Sequence, residues 1–132
     1  MQQNKLDEAR ALLKDALSRN PGNYPITSTL ADVEIATGNG TQAAEHLKQL
    51  TRRMPQQEYL WLRLAEAEGM ARNIVGVHRA RAEYDALMGD LESAQRQLRQ
   101  AQEKLPAGSA QRQVVSERLS EITSRLQAHR NS

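Results

Sequence analysis

Three histidines, His46, His78 and His129, are the side chains best suited to hold a metal, and their spacing does not suit it. Zinc sites on helices use paired ligands such as HExxH, with two histidines four residues apart on one face. Here His78 is followed by Arg79-Ala80-Arg81-Ala82-Glu83, and the other two histidines fall on separate predicted helices. The chain has no cysteine, so it has no thiolate ligand and no disulfide framework. No glycine-rich phosphate loop, nucleophile elbow or Ser–His–Asp order occurs. The carboxylates are numerous but interleaved with arginines, the pattern of exposed surface pairs. This segment is therefore expected to be no enzyme, with no catalytic residue, no metal site and no cofactor of its own.

What such side chains can do is hold another protein, provided helices present them on one face. The candidate contact residues are Asp32 and Ile35 on a second helix, then Tyr59, Leu62, Arg63 and Glu66 on a fourth, with Ser28 and Met70 beside them. Arg79 and Glu83 join them if the fifth helix faces the same way. They form a mixed surface of one aromatic, some apolar groups and carboxylates beside arginine, suited to an extended peptide or a helix. Ordinary solvated helix surface reads the same way, so the expectation rests on architecture.

That architecture is written in a half-repeat found three times. Its copies are Asn4-Lys5-Leu6-Asp7-Glu8-Ala9 with Leu13, Ala16 and Pro21; Gly38-Asn39-Gly40-Thr41-Gln42-Ala43 with Leu47, Leu50 and Pro55; and Gly89-Asp90-Leu91-Glu92-Ser93-Ala94 with Leu98, Ala101 and Pro106. Each is a turn followed by an amphipathic helix. Gly or Asn tolerates the left-handed backbone at a helix end, Asp90 or Asn39 can cap the next helix, and Pro stops it. Ala, then Leu four on, then Ala or Leu three on, share one face. Pro21 and Pro55 are 34 residues apart, one period of tetratricopeptide repeats, which this pattern resembles. Pro55 and Pro106 are 51 apart, one and a half periods, so a helix is inserted or the register slips by half a repeat.

The fold expected is all-α, a superhelical solenoid of about seven antiparallel helices over 6–19, 25–37, 41–53, 57–72, 75–88, 91–104 and 109–129. Residues 1–132 form one domain. Pro25 is predicted in a first turn, Thr41 and Ser109 as caps, and Val77, Ala80, Tyr84 and Leu87 as the inward face of the fifth helix. Leu6, Ala9, Leu13, Ala16 and Leu17 are the inward face of the first. Trp61 lies at helical spacing from Leu64 and is expected in the core. Val115, Leu119, Ile122 and Leu126 give the seventh helix one apolar seam and a polar back, as suits a capping helix over 109–129. Fraying is expected from about Ala128.

The net charge of +2 is mild. Arg52 and Arg53, and the group Arg72, Arg79 and Arg81, alternate with Glu66, Glu68, Glu83 and Asp85. Solvated mixed-charge helix faces explain this better than nucleic-acid binding, which is not expected. No stretch is apolar for long enough to span a bilayer, and residues 1–5 contain no apolar signal region. Residues 4–21 read as the second half of a repeat, so the chain is expected to be a piece of a longer protein, with Met1 an added start.

The stretch Val77-His78-Arg79-Ala80-Arg81-Ala82-Glu83-Tyr84-Asp85-Ala86-Leu87-Met88-Gly89-Asp90-Leu91-Glu92-Ser93-Ala94, with Gln97-Leu98-Arg99-Gln100-Ala101, is more specific than a generic repeat. Together with Trp61-Leu62-Arg63-Leu64-Ala65-Glu66 and the helix near Arg118–Leu126, it resembles the C-terminal tetratricopeptide region of periplasmic M48-type zinc metalloproteases, the beta-barrel assembly-enhancing protease family of Gram-negative bacteria. The resemblance implies a parent with an N-terminal HExxH zinc domain, absent here, so zinc is implied only for that domain. It also implies a periplasmic location, outer-membrane protein quality control, and barrel assembly components among its protein partners. A non-enzymatic repeat scaffold in another assembly or secretion system is the alternative. Repeats that grip the C-terminal carboxylate of chaperones use Lys, Arg and Asn on first helices. Ser28, Asp32, Leu62 and Glu66 stand at those positions here, so that clamp is missing.

Overall fold

The computed structural model describes residues 2–131. Among them are seven helices and no strand: α1 (Gln2–Arg19), α2 (Tyr24–Ala36), α3 (Gly40–Arg53), α4 (Glu58–Met70), α5 (Ile74–Leu87), α6 (Leu91–Glu103) and α7 (Ala110–Arg130). Each packs on its neighbours in sequence, the signature of a solenoid. Alternation puts α2, α4 and α6 in one layer and α1, α3, α5 and α7 in the other. Side chains tie each layer internally: Arg63 of α4 bonds Ser28 and Asp32 of α2, and Arg118 of α7 bonds Glu83 of α5.

The helix starts follow their caps. Asn23 Oδ1 accepts from Ile26 N at 3.0 Å, Asn73 Oδ1 from Gly76 N at 3.1 Å, Asp90 Oδ1 from Ser93 N at 3.0 Å and Ser109 Oγ from Arg112 N at 3.1 Å. Pro25 occupies the first turn of α2, as its missing N–H permits. Thr41 is not the cap of α3: the helix begins one residue earlier, at Gly40, and Asn39 holds the cap position. Asn39 makes no side-chain cap bond. It donates to Thr37 Oγ1 at 3.1 Å and Glu34 Oε1 at 3.4 Å. Gly40 is buried against the end of α4, where a Cβ would lie 2.7 Å from Ala71 N. The absent side chain is what lets these two helices approach.

The irregular interval resolves into one junction used three times. Asn39 N donates to Glu34 O, Asn73 N to Glu68 O and Asp90 N to Asp85 O, at 2.8–2.9 Å. The residue before each donor is left-handed: Gly38 at φ 79°, Arg72 at 60° and Gly89 at 83°. This is the Schellman ending that turns a first helix into a second. Its carboxylate residue recurs at Glu34, Glu68 and Asp85, spacings of 34 and then 17. Helix α5 therefore enters as the second helix of one pair and leaves as the first helix of the next. The core says the same. Ala80 belongs to one apolar cluster with Ala43, Leu47, Leu50, Leu60 and Leu64. Ala82 and Ala86 belong to another with Ala94, Leu98, Ala101, Val115 and Ile122.

This double duty corrects the predicted inward face of α5. Gly76, Ala80, Ala82 and Ala86 are buried, while Val77 and Tyr84 are half-buried and Leu87 is exposed. A helix packed on two sides turns its small residues inward and displaces its long ones. Helix α1 starts at Gln2, and Leu6, Ala9, Leu13, Ala16 and Leu17 are only half-buried against α2. Helix α7 continues past Ala128 to Arg130. Val115, Ile122 and Leu126 of its seam are buried and Leu119 is half-buried.

Candidate functional site

Helix α4 carries the most distinctive surface. Tyr59, Leu62, Glu66 and Met70 follow steps of three, four and four, so they share one face. That face is open: Tyr59 is 50% exposed, Leu62 42% and Met70 37%. Leu60, Leu64, Ala67 and Glu68 point the other way and are buried. Tyr59 stands at the mouth of a cavity of about 220 Å³ between α2 and α4, lined also by Tyr24, Pro25, Ser28 and Met54. Tyr24 is fixed by Arg53, whose Nη1 donates to its Oη at 2.5 Å with the guanidinium over the ring.

Arg63 braces this surface. Its guanidinium donates to Ser28 Oγ and Ser28 O at 3.2 Å and to the carboxylate of Asp32. Asp32 is exposed and brought directly to Arg63, which is half-buried and committed to α2. Arg63 thus fixes the spacing between first helices and is not an unpaired cation awaiting a ligand. Ile35 is half-buried against the core. Of the predicted contact residues, the structure brings together Asp32, Tyr59, Leu62, Arg63 and Glu66.

It does not bring Arg79 and Glu83 to them. These lie in a separate cleft of about 430 Å³ between α3 and α5, with α4 as its floor. Trp61, Leu64 and Ala80 form the apolar part; Lys48, Arg52, Arg79, Glu68 and Glu83 supply the charge. Trp61 is half-buried there, not enclosed, and its Nε1 donates to Pro55 O at 2.8 Å. Glu83 accepts from Arg118 through both oxygens, at 2.8 and 2.9 Å, and the paired carboxylate holds the Arg118 pKa above its ordinary value.

Two buried carboxylates were not singled out by sequence. Glu34 is 1% exposed and accepts from Arg10 Nε at 2.5 Å, which ties α1 to α2. Glu68 is 4% exposed, accepts from Asn73 Nδ2 at 2.9 Å and has Lys48 Nζ at 3.9 Å. Burial pushes the Glu68 pKa above its ordinary value, against the opposing pull of Lys48 and Asn73. Their spacing of 34 was the available signal. The histidines stay apart: half-buried His46 on α3 has its pKa lowered by desolvation, and His78 Nδ1 lies 2.7 Å from Gln97 Oε1. Among the described residues no group of three or more His, Cys, Asp or Glu is placed to hold a metal.

Residues 1–67 match the family model described as tetratricopeptide repeat. The chain belongs to the tetratricopeptide repeat family. The match covers α1 to α3 and most of α4, including the row from Tyr59 to Glu66. No curated protein matches this chain. No helix among the described residues is long and apolar enough to cross a membrane. Such repeats are protein-binding modules, and the stacked helices leave a face on which a protein segment can lie.

Proposed function

We propose that the α2–α4 face is the docking surface of this module, receiving an extended or helical protein segment along Tyr59, Leu62, Glu66 and Met70. The observation that carries the reading is the exposed apolar row on α4, held at fixed distance from α2 by the Arg63 brace. Aromatic and aliphatic anchors beside braced polar groups are what binding hot spots are made of. Glu66, exposed on the same face, gives the rim acidic character and favours a segment carrying Lys or Arg next to its apolar residues. The module itself carries out no chemistry and needs no cofactor in this reading.

The resemblance of residues 57–105 to the tetratricopeptide region of M48-type metalloproteases supports a finer version. In it the module docks substrates or barrel assembly components for a periplasmic zinc protease. A scaffold without an attached enzyme is the other version. Photoreactive residues placed at Leu62 in cells test both. Discrete crosslinks at Leu62, with none at Val114 on α7, are expected. Barrel assembly proteins among the crosslinked species favour the protease version, and their absence favours the scaffold. Equal crosslinking at Val114 contradicts the docking surface.

A further inference from the structure

The cleft between α3 and α5 lies in the other layer of the solenoid, and its charges are unevenly satisfied. Both oxygens of Glu83 accept from Arg118. Glu68 is buried at its base and bonded to Asn73. Lys48 reaches Glu45 and Glu68 only at 3.8 and 3.9 Å. Arg52 and Arg79 make no hydrogen bond or ion pair within the described residues, and Arg79 meets the charge of Glu68 only at longer range. Between these cations lie Trp61, Leu64 and Ala80. Helix α5, one wall of the cleft, packs Ala80 on the first cluster and turns Ala82 and Ala86 to the second.

We infer that this cleft is a second binding site, for an acidic peptide segment that seats an apolar side chain against Trp61 and places its carboxylates against Arg52 and Arg79. Charge complementarity selects the occupant. Three cations rim the cleft against two carboxylates, and both carboxylates are already engaged. Guanidinium groups bind carboxylates through paired hydrogen bonds, which directs a flexible acidic chain into one register. The half-buried indole offers an apolar partner beside them. This site is independent of the α2–α4 surface and does not require that surface to be occupied.

Trp61 is the single tryptophan of the chain and lines the cleft, so its fluorescence reports on occupation there. The probe is a capped peptide of alternating glutamate and leucine, titrated at low and high salt. The expected result is a saturable shift in Trp61 emission that weakens as salt rises. The double variant Arg52→Ala, Arg79→Ala weakens binding about tenfold or more, in line with the loss of charge-assisted contacts. The variant Arg96→Ala, Arg99→Ala removes the same charge from α6, outside the cleft, and leaves affinity unchanged. Retained helical circular dichroism shows that each variant folds. The inference is overturned by an unchanged Trp61 emission at millimolar peptide. It is equally overturned by undiminished affinity in the Arg52/Arg79 variant, by equal weakening in the Arg96/Arg99 variant, or by tighter binding of a single-stranded oligonucleotide than of the peptide.

Discussion

Glu68 is the residue whose chemistry most constrains this fold. It sits over Gly76, where a Cβ would lie 1.9 Å from its Oε2, so the helix crossing leaves room for a carboxylate and no methyl group. Its burial raises the pKa from the ordinary 4.5. A raised folded value means that the native state holds the proton more tightly than the unfolded chain. The contribution is therefore fully present below about pH 4.5 and is lost as pH rises through the folded value. Glu68→Gln keeps an acceptor for Asn73 and removes the titration. Urea unfolding at several pH values is expected to show wild type losing stability relative to Glu68→Gln as pH rises above about 4.5. A constant difference across that range contradicts the assignment. Beyond its spacing of 34 from Glu34, sequence gives no sign of this burial, because a carboxylate near arginines reads as an exposed pair unless the helix packing above it is known.

At the scale of elements, the three Schellman junctions make separable predictions. Arg72 occupies the left-handed position that Gly38 and Gly89 fill in the other two. Its Cβ makes that conformation costly, so Arg72→Gly is expected to stabilise the protein by up to about 1 kcal/mol, read from the urea midpoint. Gly40→Ala is expected to destabilise by about 1–3 kcal/mol, since its Cβ would enter the backbone at the end of α4. If Arg72→Gly weakens the protein, the junction at α4–α5 is not equivalent to the others. The element count and most boundaries were legible, because Ala, Leu and Pro at fixed steps specify helices and their ends. The face of α5 was not. Its small residues lie on two sides, and a periodicity of apolar size follows Val77, Tyr84 and Leu87 while the packing follows Gly76, Ala82 and Ala86.

For the whole molecule, the one-and-a-half-period interval is the deciding feature. It leaves two surfaces in different layers: an apolar row with an acidic rim on α4, and a cationic cleft between α3 and α5. The candidate site was legible in part. Tyr59, Leu62 and Glu66 could be placed from their spacing within one helix. Arg79 and Glu83 could not, since assigning them needs the layer of α5, which depends on contacts between helices far apart in sequence. Likewise Arg63 reads as a free cation until Ser28 and Asp32 are seen beneath it.

The docking claim is tested most directly by the double variant Tyr59→Ala, Leu62→Ala, assayed against the partner captured through Leu62. Both side chains are about half exposed, so the unfolding free energy is expected to change by no more than about 2 kcal/mol. Affinity is expected to fall at least about a hundredfold, as for two anchors of a hot spot. Unchanged affinity in a folded double variant would contradict the account.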